Sequence, residues 1–265
     1  MAQDAAGDAR MAASLAGLQP QRPGTVDAYV IAAALDTDPV FDREAREAGR
    51  VLAGRFGGQG RTIVLAEDEG GDRANAAGSP ANLAAAIARA EALMDPKEDV
   101  LVLYSTSHGS PHNGLNYKHP VYGSGVITPA QLAAMLGAGG ARNRLIILQA
   151  CFSGQFIPAL ASPRTVVATA ASSMKSSFGC SASNDWTFFG HALINQAMRT
   201  SDTFVRQFRR AVVAIIGWEE KLKIEPSNPQ LSVGSDTATW LAALDAEPHA
   251  VSANPVGRPP LELDR

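Results

Sequence analysis

Cysteine is scarce: the 265-residue chain has two, Cys151 and Cys180. A framework of disulfides is therefore excluded, and a reduced pair with a chemical role for one thiol fits better than a single bridge. Long apolar runs are lacking as well. The longest late one, Ala211 to Trp218, falls well short of the roughly 18–20 residues of a membrane span. Positive charge is neither abundant nor clustered: 23 Lys and Arg face 26 Asp and Glu, a net charge of −3, which removes the footprint of a nucleic-acid binder. The stretch from Met1 to Asp8 has neither a basic region nor an apolar core of the secretory kind. As it stands the sequence reads as cytoplasmic, or as exported or membrane-anchored if its N-terminus has been trimmed.

What is present is a core. Composition is 46% hydrophobic and 18% charged, ordinary for a packed globular domain. The apolar runs recur as short buried strands, Asp27 to Leu35, Arg61 to Ala66, Val100 to Ser107, Arg144 to Gln149 and Thr165 to Ala170. They lack the alternation of a half-exposed strand and fit a parallel sheet covered on both faces. Helical patterns separate them. Asp38-Pro39 starts one as cap and first residue, Phe41, Ala45, Ala48, Leu52 and Phe56 line its inner face, and Gly57-Gly58 stops it. Ser79-Pro80 and Thr128-Pro129 open two more. Later helices run from about Asp185 and from Asp202, and Gln230 to Val233 offers a sixth strand. The β-α-β order predicts right-handed crossovers and one α/β domain over residues 25–245. Residues 1–24 read as a flexible arm, and residues 246–265, rich in proline, as a disordered tail. Residues 109–127, full of Gly, Pro, Asn and His, read as a loop or irregular hairpin at the carboxyl edge.

That edge is where parallel sheets bind ligands. One strand ends there in Ser107-His108-Gly109, another in Gln149-Ala150-Cys151-Phe152-Ser153-Gly154. A thiol beside an imidazole makes a nucleophile, and a glycine lets a backbone N–H approach a developing oxyanion. The sequence after Cys151 can start a helix, whose N-terminus would favour a thiolate. Cys151 alone also fits a packed core thiol, and His108 alone a loop histidine, so the two carry weight only as a pair. The glycines of a hydrolase nucleophile elbow are missing, with Gln149 and Ser153 in their places. His108, His112 and His119 have no carboxylate or cysteine at regular spacing to complete a metal site, so no metal and no cofactor is expected. A histidine about 50 residues upstream of Gln-Ala-Cys is instead the order of caspases.

These two boxes resemble the His-Gly and Ala-Cys boxes of caspase-like cysteine peptidases, and within that group the chain resembles the legumain (peptidase C13) family, particularly its bacterial members. Ser176-Ser177-Phe178-Gly179-Cys180 and Trp186-Thr187-Phe188-Phe189-Gly190 are similar to two further legumain segments. The resemblance implies a caspase-like three-layer sandwich: a mostly parallel sheet of about six strands with helices on both faces. It also implies His108 as general base, Cys151 as nucleophile, the N–H groups of Gly109 and Cys151 as oxyanion hole, and Ser177 in the pocket for the P1 side chain. The chain departs from legumain in having Gln149 for glutamate, His191 for aspartate and Ala32 to Leu35 for an Arg-His pair. Most of the charged P1 pocket is thus missing, and Gln149, Ser177 and His191 would favour a neutral or basic P1 group over an acidic one, without legumain's strong preference for asparagine. The expected activity is a cysteine endopeptidase acting on peptides or proteins through a thioester. A non-catalytic peptide-binding module and a transpeptidase of the same fold are the alternatives.

Overall fold

A computed structural model describes residues 5–67, 75–111, 113–137, 143–248 and 250–260. The central sheet is built from β1 (Ala28–Ala34), β2 (Thr62–Leu65), β3 (Val100–Thr106), β7 (Asn143–Gln149), β8 (Thr165–Thr169) and β9 (Gln230–Val233). Its strand order is β2-β1-β3-β7-β8-β9, parallel throughout except for β9, which runs antiparallel to β8. The apolar runs are continuous because both faces are covered. In β1, Ala28, Val30 and Ala32 face one core and Tyr29, Ile31 and Ala33 the other. Val102 and Tyr104 of β3 share the first core, and Leu101 and Leu103 the second.

On the first face lie α2 (Pro39–Phe56), α7 (Phe204–Leu222) and α8 (Ala238–Ala246). A helical run joins them there: α6 (Phe188–Gly190) widens to a π-helix over His191–Gln196 and tightens to a 3-10 turn at Ala197–Arg199. The second face carries α1 (Ala5–Ala16), α3 (Pro80–Leu93), α4 (Pro129–Gly137) and the short α5 (Ile157–Leu160). This is the six-stranded three-layer α/β architecture that the sequence predicts. The loop-or-hairpin segment is more ordered than expected. It forms an antiparallel sheet of β4 (Gly109–Ser110), β5 (Gly114–His119) and β6 (Gly123–Ile127) over the carboxyl edge.

Two terminal expectations differ from what is found. Residues 5–16 are helical, and Met11 and Leu18 are buried in the second core while Gln19 N–H bonds the Gly60 carbonyl. The arm is held by a few apolar residues too widely spaced to stand out in so alanine-rich a stretch. Of the proline-rich tail, residues 250–258 are strapped along the first face, and residues 261–265 lie outside the described residues. Trp186 Nε1 donates to the Val256 carbonyl at 2.9 Å, and Asn195 Oδ1 accepts from Val256 N–H at 2.9 Å. Ala250 N–H reaches the Gly54 carbonyl, and Arg258 N–H the Asp185 carboxylate. Backbone groups, invisible to composition, make this attachment.

Three elements of the first face meet on one buried carboxylate. Glu44 of α2 is fully buried, receives the Tyr104 hydroxyl at 2.5 Å, and receives both the N–H and hydroxyl of Thr187 at 2.8 Å. Gly190 is required beside it, since a Cβ there would stand 2.1 Å from Glu44 Oε2. Burial pushes the Glu44 carboxyl up from its ordinary value, while the Tyr104 and Thr187 bonds pull the other way. Glu44→Ala strands the Tyr104 and Thr187 donors and is expected to cost about 3 kcal/mol, or a fall in melting temperature of about 6–12 °C. Glu44→Gln, whose amide oxygen can still accept from Thr187 while its NH2 donates to the Tyr104 hydroxyl oxygen, is expected to lose less than half of that in the same thermal melt.

Candidate active site

Register alone brings the site together. Ala34 of β1 pairs with Thr106 of β3, and Thr106 with Gln149 of β7. The three chains therefore leave the sheet at one height, and His108 and Cys151, each two residues further on, emerge side by side. The bond from Ser107 N–H to the Gln149 carbonyl, at 3.0 Å, carries the pairing one step past the strands. Gly109 then lies so close that a Cβ would stand 1.9 Å from the Cys151 carbonyl oxygen. Any other residue would push the two segments apart. Gln155 fastens them from the other side, its Nε2 donating to the carbonyls of Ser110 and Phe152 at 3.1 and 3.0 Å.

Two backbone N–H groups at this junction take no part in the pairing with β5. Asn116 N–H bonds the His108 carbonyl at 2.9 Å, which makes Gly109 and Leu115 a non-hydrogen-bonded antiparallel pair. The Gly109 N–H therefore points away from β5. The Cys151 N–H has no acceptor among the described residues.

The Cys151 sulfur receives the Ser177 N–H at 3.3 Å and lies 3.4 Å from the Ser177 carbonyl oxygen. Ser177 Oγ in turn reaches Gln149 Oε1 at 3.4 Å, and Gln149 Nε2 reaches Cys180 Sγ at 3.8 Å. Cys151, Ser177, Gln149 and Cys180 thus form one cluster at the ends of β7 and β8. Both thiols are free. Burial, reinforced by Cys151 and Glu44 nearby, pushes the Cys180 thiol far above its ordinary range, so Cys180 is the inert member of the pair.

The helix expected to begin at Cys151 does not form in that way. Phe152 takes a left-handed conformation, φ 58°, and a 3-10 turn over Ser153–Phe156 precedes the four-residue α5. The turn is imposed from the neighbouring chain: Phe152 N–H bonds the Lys175 carbonyl at 2.8 Å and Gly154 N–H the Ala171 carbonyl at 2.9 Å. A non-glycine residue at such angles costs of order 1 kcal/mol, and strain of this kind concentrates at functional sites.

His108 has a partner the sequence did not announce. Its Nε2 lies 2.9 Å from Asp38 Oδ2, with both side chains a little over one-third exposed. The Phe41 ring stands edge-on to the imidazole at 5.0 Å between centroids. Asp38 does precede α2 as expected, but its side chain makes no capping bond. It was legible only as a cap because its partner is 70 residues away. His108 Nδ1 is left without a hydrogen-bond partner among the described residues.

His191 is placed elsewhere. Its ring is buried near Trp186 and Trp218, with centroids 6.5 and 5.7 Å away, and its nitrogens face the side-chain amides of Asn195 and Gln196 at 3.2 Å. It shares no hydrogen bond or ring contact with Gln149, Ser177 or Cys151. His119 is structural, with Nε2 on Glu67 at 3.0 Å and Nδ1 receiving the Val121 and Tyr122 N–H groups. His112 lies outside the described residues. No cluster of three or more His, Cys, Asp or Glu suited to a metal ion occurs among the described residues.

The fold and this edge define a class, the caspase-like α/β proteins. The structure is similar to that of caspase-1 from Spodoptera frugiperda, with a TM-score of 0.53 and 12% identity over 82% of this chain and 93% of that one. No curated protein matches the sequence. The model of the peptidase C13 family matches residues 79–237, well over half of the chain, which belongs to that family.

The burial of His191 has a measurable consequence. Desolvation lowers its pKa from 6.5 to about 4. The unfolded chain takes up a proton near pH 6.5 that the native chain refuses until about pH 4. Stability should therefore fall as pH drops across that window, by up to about 3 kcal/mol from this residue. Denaturant unfolding at both ends of the window should show this fall largely removed in His191→Gln.

Proposed function

We propose that this C13-family chain is a cysteine endopeptidase whose nucleophile is Cys151 and whose general base is His108. The observation that carries the reading is the shared height of the two strand ends, with the Cys151 carbonyl lying against Gly109. The imidazole takes the thiol proton through its open Nδ1, and the sulfur attacks the substrate carbonyl carbon. The oxyanion so formed accepts hydrogen bonds from the Gly109 and Cys151 N–H groups, which are oriented before the substrate arrives. Collapse expels the amine, protonated by His108, and leaves a thioester. Water, deprotonated by the same imidazole, then releases the acid and restores the thiol. Asp38, on the other ring nitrogen, holds the imidazole in the required tautomer and orientation.

Cys151→Ala should abolish peptide hydrolysis with an unchanged melting temperature; retained turnover would remove Cys151 as nucleophile. His108→Ala should lower kcat by about 10²–10⁴-fold. Asp38→Ala should lower it by up to about 10²-fold, with KM little changed, because it acts through the position of another group. Steady-state kinetics on a mixed peptide library check all three. A folded protein that binds peptides without turning them over would favour the binding module. A product that incorporates an added amine in place of water would favour the transpeptidase.

The P1 pocket would be formed around Gln149 and Ser177, which are neutral and already bonded to each other. An acidic P1 group would lose water without gaining a cation, and nothing in the pair reproduces the charged clamp that legumain places on asparagine. Cleavage of a proteome-derived library is expected after neutral or basic residues, with no dominance of asparagine. Dominant cleavage after asparagine would show that other residues build the pocket.

A further inference from the structure

Beside the nucleophile lies a second concavity, separate from the Gln149–Ser177–Cys180 cluster. It has a volume of about 390 Å³, within the range of ligand sites. Phe152, peptide-bonded to Cys151, lines it; Met174 and Phe178 line it from the segment that carries Ser177, and Ile224 and Pro226 from the chain between α7 and β9. The walls are fixed. Phe152 N–H bonds the Lys175 carbonyl, Ser172 N–H bonds the Ser227 carbonyl at 2.9 Å, and an ion pair from Lys175 Nζ to Glu225 Oε2 at 3.0 Å joins the two segments. Met174, 66% exposed, is an apolar side chain left in water at the groove that Phe152 also lines.

A left-handed Phe152 makes sense in this setting. Glycine would adopt that backbone without strain, yet the position holds a large ring that helps line the concavity. We propose that this groove is a specificity subsite, taking a bulky uncharged aliphatic or aromatic side chain of the substrate at one fixed position other than P1. The inference rests on the peptidase reading and deepens it, since it names the class of peptide the enzyme selects. The occupant follows from continuity: Phe152 adjoins the residue that attacks, and Met174 and Phe178 flank Ser177, so a bound substrate chain passes the mouth of the groove. The lining is mostly apolar and its two charges, Lys175 and Glu225, are paired with each other, so a leucine, methionine, phenylalanine or tyrosine is favoured over a charged residue.

Two measurements test this. In the first, a peptide library is cleaved by the parent protein, Ile224→Asp and Ile224→Leu. The parent should prefer large apolar residues over glycine at one non-P1 position by at least about tenfold. Ile224→Asp should bring that ratio close to one, and Ile224→Leu should retain it. In the second, Cys151→Ser protein is used to select from the same peptides by binding, which needs no turnover, with and without Ile224→Asp. Cleavage without apolar enrichment, or enrichment that survives Ile224→Asp, overturns the subsite and leaves the peptidase reading standing. Selective binding lost in Ile224→Asp, with no cleavage by the parent, upholds the subsite and overturns hydrolysis. Neither cleavage nor binding overturns both.

Discussion

The parallel pairing of β1, β3 and β7 in one register is the constraint on which the site depends. It is a backbone property, fixed by ladder hydrogen bonds and by two apolar faces that a slip of one residue would exchange. Once Ala34, Thr106 and Gln149 stand level, the height of every group beyond them is set by counting. The chain after β1 needs four residues to reach Asp38, and the chains after β3 and β7 need two to reach His108 and Cys151. Strand ends of a rigid sheet place these groups more firmly than free loops would, and the close approach at Gly109 converts that placement into contact.

Around this frame polar groups are joined across layers. Glu44 ties α2 to β3 and to the start of α6, and its neighbour Cys180 adjoins the Gln149–Ser177 pair. The floor beneath Cys151 is thus a bonded polar layer resting on a buried acid. The same carboxylate helps push the Cys180 thiol up, so substitutions at Glu44 and in the Gln149–Ser177–Cys180 cluster are not independent.

Much of this was legible in the sequence, and the reasons are physical. Strands buried on both faces leave unbroken apolar runs, so β1, β3, β7 and β8 are plain to read. The His108-Gly109 and Cys151 boxes stand at strand ends, where a polar or reactive side chain interrupts an apolar pattern. Long-range polar partnerships leave no such mark. Asp38 reads as an ordinary cap because local spacing cannot show a histidine on another strand, and nothing in local spacing sets Glu44 apart. His191 follows a segment similar to legumain's, yet the widening of the helix to a π turn at that residue places its ring near two tryptophans. The terminal segments depart from what composition suggests for a related reason: Met11 and Leu18 anchor the amino-terminal stretch in the core and main-chain bonds hold the carboxyl-terminal strap, and composition records neither.

The strap has a consequence for the order in which the molecule can be completed. The indole of Trp186 and the amide of Asn195 find their partner at Val256, which lies 70 and 61 residues further along the chain and is synthesised that much later. Until then the helical layer that covers β7 and β8 has polar groups waiting for a chain that does not yet exist. A nascent chain can pair β1, β3, β7 and β8 early, yet this layer closes only once Val256 has been made, and the edge that carries His108 and Cys151 gains its full support only then.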